Sequence, residues 1–296
     1  MKIKFLIILT LLAYNVYPQS DNKRLSKKKD FYSWSEKGGN YENIFFSGKL
    51  TKGTKHKEVV IKKAEEIRSL EIESYSDSIF PNEIILKFKH LETLVINGKI
   101  GGLKIDTINI KRLSNVKDLV FLKVDFKIFP VDLYRIDSLK RLTIAFCKLE
   151  KISDSIKFFK NLNYLDLISN ELNSIPETIK FLQNLKTLWL GNNNLTEIPA
   201  ILIDCNNLER IGLNNPFNGT YSKNRELGNR RELKNLNQID YVRDFDKLKT
   251  LLEKDSIKVI GISLKNLEQK DVLIEKLNNK LLLKKLYLGC YTLIKD

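Results

Sequence analysis

Tyr164, Asp166, Thr187 and Trp189 gather aromatic and polar chemistry in one short stretch, with Arg141 and Thr143 ahead of them and Arg210 and Asn214 behind. Large rings and planar guanidinium groups gain most from losing water on contact, so this set has the composition of a protein-binding hot spot. Catalysis finds less support. The chain has two histidines, His56 and His90, and three cysteines, Cys147, Cys205 and Cys290. A Cys-His or Ser-His-Asp arrangement would have to recruit one of those histidines. No glycine-rich phosphate loop, metal-ligand spacing or paired-carboxylate motif occurs, and Gly38-Gly39 and Gly101-Gly102 read as turns. The expectation is a protein with no catalytic residues, no metal and no cofactor.

A repeat must position the aromatic set. Val116, Leu139, Leu162, Leu185 and Leu208 follow one another in steps of 23 residues, each with apolar residues three and five positions on. Leu162, Leu165, Leu167, Asn170, Leu172, Ile175, Pro176 and Ile179 recur as Leu185, Leu188, Leu190, Asn193, Leu195, Ile198, Pro199 and Leu202. A fixed period of this length is the mark of a repeat architecture. The string L-x-x-L-x-L-x-x-N-x-L-x-x-I-P resembles the leucine-rich repeat family. That resemblance implies an α/β solenoid, a horseshoe with a parallel concave sheet and an irregular or short-helical convex side. It also implies an interaction scaffold, since members of the family bind protein partners on the concave face.

The slots have physical reasons. In L-x-x-L-x-L the apolar positions alternate with others, the period of a strand with one buried face. Leu165 and Leu167 therefore point inward. The outward slots are Arg141, Thr143 and Ala145, then Tyr164, Asp166 and Ile168, then Thr187, Trp189 and Gly191, then Arg210, Gly212 and Asn214. Arg141, Thr143, Tyr164, Asp166, Thr187, Trp189, Arg210 and Asn214 are the candidate partner-binding residues. The structural alternative for Tyr164 and Trp189 is a stacked pair that stabilises the sheet. Asn170 and Asn193 are placed to satisfy backbone groups where the chain leaves the sheet, and Cys147 fills their slot one repeat earlier. Pro130, Pro176 and Pro199 turn the chain onto the outer surface.

Weaker copies begin at Ile67 and Leu91, and after Leu208 a polar, basic stretch over about 214–235 reads as an inserted loop. The pattern resumes at Leu236, Ile257 and Leu283, for an expected total of about ten repeats over 67–296. Apolar spacing in 246–254 and 270–283 predicts α-helices on that part of the convex side.

Residues 1–20 have the form of a secretory signal peptide: Lys2 and Lys4, then an apolar run from Phe5 to Tyr14 broken by Thr10. The run is too short to span a bilayer, so the chain is expected to be secreted or extracytoplasmic, in the periplasm or on the cell surface, with no transmembrane span once the signal is removed. Residues 21–66 carry enough aromatic mass to cap the first repeat. Cys147 and Cys205 lie in different repeats, about 9 Å or more apart by stacking alone, beyond the roughly 7 Å limit for a disulfide. The net charge is +15. Its charges are spread rather than striped with aromatics, and export removes nucleic acid as an expected partner. An anionic glycan or lipid is the second partner class. A surface adhesin of that kind would use basic patches such as Lys223, Arg225, Arg230, Arg231 and Lys234 in the inserted loop.

Overall fold

The computed structural model describes residues 32–34, 43–47, 68–75, 88–98, 113–126, 128–213, 241–264 and 267–290. The expected signal, most of the expected cap and the basic loop, with Asn214, lie outside them. The described strands form one eleven-stranded sheet in chain order: β1 (Tyr32–Trp34), β2 (Asn43–Ser47), β3 (Ser69–Tyr75), β4 (Thr93–Gly98), β5 (Asp118–Leu122), β6 (Arg141–Ala145), β7 (Tyr164–Asp166), β8 (Thr187–Trp189), β9 (Arg210–Gly212), β10 (Val259–Leu264) and β11 (Leu286–Cys290). Only β1 runs antiparallel to its neighbour; every pairing from β2 onward is parallel.

Register carries the repeat into a core. Leu119, Leu142, Leu165, Leu188, Ile211 and Ile260 are successive cross-strand partners. None is more than 1% exposed, so they make one continuous apolar column. A single repeat cannot bury such a face, and each strand becomes stable through its neighbours.

The asparagine slot behaves as its chemistry requires. The backbone N–H groups of Cys147 and Leu149 donate to Asn170 Oδ1 at 3.0 and 3.1 Å, while Asn170 Nδ2 donates to the carbonyls of Ile144 and Leu167 at 2.7 and 2.9 Å. Asn193 repeats the pattern, accepting from Leu172 and donating to Leu167 and Leu190. Cys147, fully buried in the same slot, donates its thiol to the Ala145 carbonyl at 3.1 Å. Just before this slot the backbone turns left-handed at Lys123, Phe146, Ser169 and Asn192, with φ of 57°, 58°, 58° and 55°. The amides of the first three donate across the sheet to Ala145, Ile168 and Gly191, which extends pairing past the strand ends.

The return path uses 3-10 turns at Val131–Arg135, Asp154–Phe158, Glu177–Phe181 and Ala200–Asp204, three of them led in by Pro130, Pro176 and Pro199. A second polar ladder ties the repeats together after these turns. Asn115, Ser138, Asn161, Asn184 and Asn207 each donate to a backbone carbonyl 22 to 26 residues earlier.

Toward the C-terminal end true helices replace the 3-10 turns: α1 (Phe245–Glu253), α2 (Leu267–Leu277) and α3 (Lys280–Lys285). The expected helix over 270–283 is therefore two helices, broken at Asn278 and Asn279, and Asn279 caps the second by accepting from Leu281 and Leu282. Of the repeat expected at Leu236, Leu236 and Ile239 lie outside the described residues. Arg210, Ile211 and Gly212 of β9 pair directly with Val259, Ile260 and Gly261 of β10. Tyr241, 2% exposed, belongs instead to the turn that leads into α1, where it joins Leu248, Leu251 and Leu252 in the core. At the other end β2 adds a parallel row where only a cap was expected. Cys147 and Cys205 are unbridged and buried, and burial pushes their thiols up to about 12 and about 11.

Candidate functional site

On the face of the sheet away from the core, two rows of residues run across the strands. Asp118, Arg141, Tyr164, Thr187 and Arg210 are successive partners in one row, and Val120, Thr143, Asp166, Trp189, Gly212 and Gly261 in the other. The period thus brings seven of the eight candidate residues to one surface. Parallel in-register pairing does this, because equal repeat lengths stack equal slots.

The side chains are interlocked. Arg141 holds Asp118 through Nε and Oδ1 at 3.0 Å, and its guanidinium lies over the Tyr164 ring, 4.2 Å from the centroid. The Tyr164 hydroxyl donates to Asp166 Oδ2 over 3.4 Å, and the Ile168 amide donates to Asp166 Oδ1 at 3.0 Å. Trp189 lies on Gly212, whose missing side chain leaves room for the indole. Burial, then the neighbouring Asp166 charge, pushes the Tyr164 hydroxyl above the ordinary phenol range, with Arg141 opposing. Burial likewise pushes Asp166 up to about 6, against the stabilising Ile168 amide and Tyr164 hydroxyl. Asp118 is also raised by burial, which outweighs the attraction of Arg141.

Exposure differs among these outward slots. Asp166, Thr187 and Ala145 face this side yet are 5%, 6% and 5% exposed, because larger neighbours close over them. They support the surface from beneath and do not present it. Tyr164, Trp189, Arg141 and Thr143 are half-buried and Arg210 is exposed. In place of the Tyr164–Trp189 stack weighed as the structural alternative, Arg141 lies on Tyr164 and Trp189 on Gly212. Two contributors escaped the sequence reading. Asp118 occupies the Arg141 slot one repeat earlier, so the period already marked it; Gly212 was marked as outward-facing, but its role as a seat for Trp189 needs coordinates.

At the strand starts, carboxylates sit between cations from neighbouring repeats. Glu209 pairs with Lys186 at 3.4 Å and Lys258 at 2.7 Å, and Glu92 with Arg68 at 3.0 Å and Lys117 at 2.8 Å. These bonds hold both carboxyls below the ordinary range, led by the lysines Lys258 and Lys117. A cavity of about 270 Å³ lies elsewhere, between 3-10 turns and lined by Ile179, Lys180, Asp204 and Cys205 among others. Among the described residues no three His, Cys, Asp or Glu gather as metal ligands, and no helix is long and apolar enough to cross a membrane.

Residues 184–205 match the family model described as Leucine Rich Repeat. A leucine-rich repeat protein of Leptospira interrogans, LIC12759, superposes with a TM-score of 0.51 at 20% identity, covering 85% of this chain and 67% of that one. The fold is that of the leucine-rich repeat proteins. The leucine-rich repeat domain of the type III effector XopL is also similar, with a TM-score of 0.45 at 21% identity over 53% of this chain and 56% of that chain. So is an internalin, InlF, from Listeria monocytogenes, with a TM-score of 0.46 at 13% identity over 79% of this chain and 64% of that chain. No curated protein sequence matches the chain. This leucine-rich repeat fold suits a protein-interaction scaffold, since it offers a broad sheet surface on a rigid stack.

Proposed function

We propose that this leucine-rich repeat chain is an exported, non-enzymatic scaffold that binds a protein partner on the open sheet face, around Tyr164 and Trp189. The observation that carries the reading is pre-organisation. Arg141 and Asp166 fix the Tyr164 ring, and Gly212 seats Trp189, before any partner arrives. Ordering side chains costs about 0.5 to 1.5 kcal/mol each on binding, and fixed anchors avoid much of that loss. Arg210 and the half-buried Arg141 add the planar cations that hot spots favour. Export rests on Lys2, Lys4 and the apolar run from Phe5 to Tyr14.

The experiment begins with protein recovered from its native host. Mass spectrometry should find a chain starting near residues 19–21, and cross-linking before recovery should retain a protein partner. Trp189→Ala should weaken that partner by about 2 kcal/mol or more, roughly thirtyfold, with folding retained. The paired change Lys223→Glu and Arg225→Glu should leave it nearly unaffected. The reverse result would move recognition to the basic loop and to anionic glycan or lipid.

A further inference from the structure

The sheet face carries its charge unevenly. The residue before each strand and the first residue within it form two rows across β6 to β10, and these rows hold Lys140, Arg141, Lys186, Arg210 and Lys258 against one carboxylate, Glu209. Three of the five cations are already engaged. Arg141 pairs with Asp118 at 3.0 Å, and Glu209 takes Lys186 at 3.4 Å and Lys258 at 2.7 Å. The other two, Lys140 and Arg210, are exposed and make no ion pair with any described residue. Asp166 lies buried between them with its oxygens bonded to the Tyr164 hydroxyl and the Ile168 amide, and Glu150 and Glu171 are exposed past the other ends of the strands.

The two open cations are spaced for one extended chain. Lys140 leads into β6 and Arg210 opens β9, so β7 and β8, the rows of Tyr164 and Trp189, stand between them. At about 4.8 Å per strand that separation is roughly 14 Å, and an extended segment rises about 3.3 Å per residue with every second side chain on one face. Residues i and i+4 of a segment laid across the strands therefore reach Lys140 and Arg210 together. Residue i+2 faces the same way and falls over Tyr164 and Trp189.

We infer that the sheet face takes an extended acidic protein segment, with one carboxylate on Lys140, an apolar side chain two residues on over Tyr164 and Trp189, and a second carboxylate on Arg210. This rests on the sheet face being the recognition surface, and it names the chemistry of the partner. A guanidinium fork holds a carboxylate bidentately, and the lysine adds a point charge. A uniform polyanion fits less well. Asp118 and Glu209 occupy the other cations, and the middle of the path is aromatic, so an anionic group there would lose its water without gaining a partner. A polypeptide can place charge at both ends and an apolar group between them.

The test is fluorescence polarisation of the whole chain with a defined probe, the amidated heptapeptide Ser-Glu-Ser-Phe-Ser-Glu-Ser carrying fluorescein on a Gly-Gly linker. Binding is expected, and replacing both Glu by Gln should weaken it about tenfold, the worth of two exposed ion pairs. Moving the second Glu one place closer, onto the opposite face of the segment, should weaken it as well. Lys140→Gln with Arg210→Gln should also weaken it about tenfold, Trp189→Ala should weaken it, and Lys180→Gln on the return side should not. Both cations are exposed, and an unchanged melting temperature excludes misfolding as the cause. Charge exchange gives an independent reading. Lys140→Glu with Arg210→Glu should reject this peptide and bind one with Lys in place of both Glu.

The inference is overturned if the peptide does not bind, if the Gln peptide binds equally well, or if the double Gln variant binds the acidic peptide unchanged. The partner recovered from the native host separates this inference from the reading beneath it. If Trp189→Ala weakens that partner and Lys140→Gln with Arg210→Gln does not, the sheet face remains the recognition surface and the acidic segment is refuted. If neither change matters, both fall. A heparin fragment or anionic vesicle that needs Lys140 and Arg210, where the peptide does not, would replace the segment with a polyanion.

Discussion

Trp189 occupies the space that a side chain at position 212 would need: a β-carbon built on Gly212 would fall 2.0 Å from Cε3 and 2.5 Å from Cζ3 of the indole. The glycine and the tryptophan are register partners on β9 and β8, so the fit is set by the sheet itself. Gly212→Ala should therefore push the indole off its seat, at a cost of about 1 to 3 kcal/mol. A shift in tryptophan emission, together with a lowered denaturation midpoint, checks it. Emission identical to the parent protein would show that Trp189 is not seated there.

Asp166 should make stability fall as pH rises through the weakly acidic range. Its folded-state pKa is raised to about 6 from an ordinary 3.8, so the folded chain holds this proton more tightly than the unfolded chain does. The favourable contribution is complete below about pH 4 and is lost as pH rises through 6. At pH 7.5 the buried carboxylate then costs up to about 3 kcal/mol relative to its protonated form. Asp166→Asn keeps an oxygen for the Ile168 amide and removes the charge. Urea melts should find the variant more stable than the parent at pH 7.5 by about 1 to 3 kcal/mol, with the difference shrinking toward pH 4. A difference independent of pH would contradict the assignment.

The asparagine slot and the leucine column should separate from the surface in a stability series. Leu165→Ala opens a cavity in the continuous core and should cost about 2 to 5 kcal/mol. Asn170→Ala strands two buried amides and two buried carbonyls, at about 1 to 3 kcal/mol. Lys180→Ala should be nearly neutral. Equal denaturation midpoints for all three would refute the register.

Lys123 adopts φ of 57°, a conformation that asparagine and glycine tolerate better than lysine. Lys123→Asn should stabilise the chain by up to about 1 kcal/mol, read as an upward shift in the thermal midpoint. The same change at Lys140, an exposed residue outside these left-handed turns, serves as the control and should have little effect.

Much of this was legible before any coordinates. The 23-residue step identified the leucine column, the asparagine ladder and the proline turns because each slot answers a local need that recurs with the repeat. The place of Tyr241 was not legible, and the cause is physical. In sequence Tyr241 stands at the end of a strand-like apolar triplet, yet it lies in the turn that leads into α1, and so short a pattern cannot distinguish these outcomes. The burial of Asp166 and Thr187 was not legible for a different reason. Alternation gives the direction of a side chain, whereas exposure depends on the size of its neighbours, here Tyr164 and Trp189 among them. The second amide ladder went unread although its signal was plain, since Asn115, Asn161, Asn184 and Asn207 each stand immediately before the first apolar residue of a repeat.

Because β9 and β10 are adjacent rows, the connection between them inserts no strand into the sheet. Chain length between them is therefore nearly decoupled from the stack: each doubling of a flexible connection adds only about 0.6 kcal/mol of closure cost. The junction is a natural port for grafting. A foreign peptide placed there would follow the strand next to that of Trp189, and its length could be varied while the rows that carry Tyr164 and Trp189 stay intact.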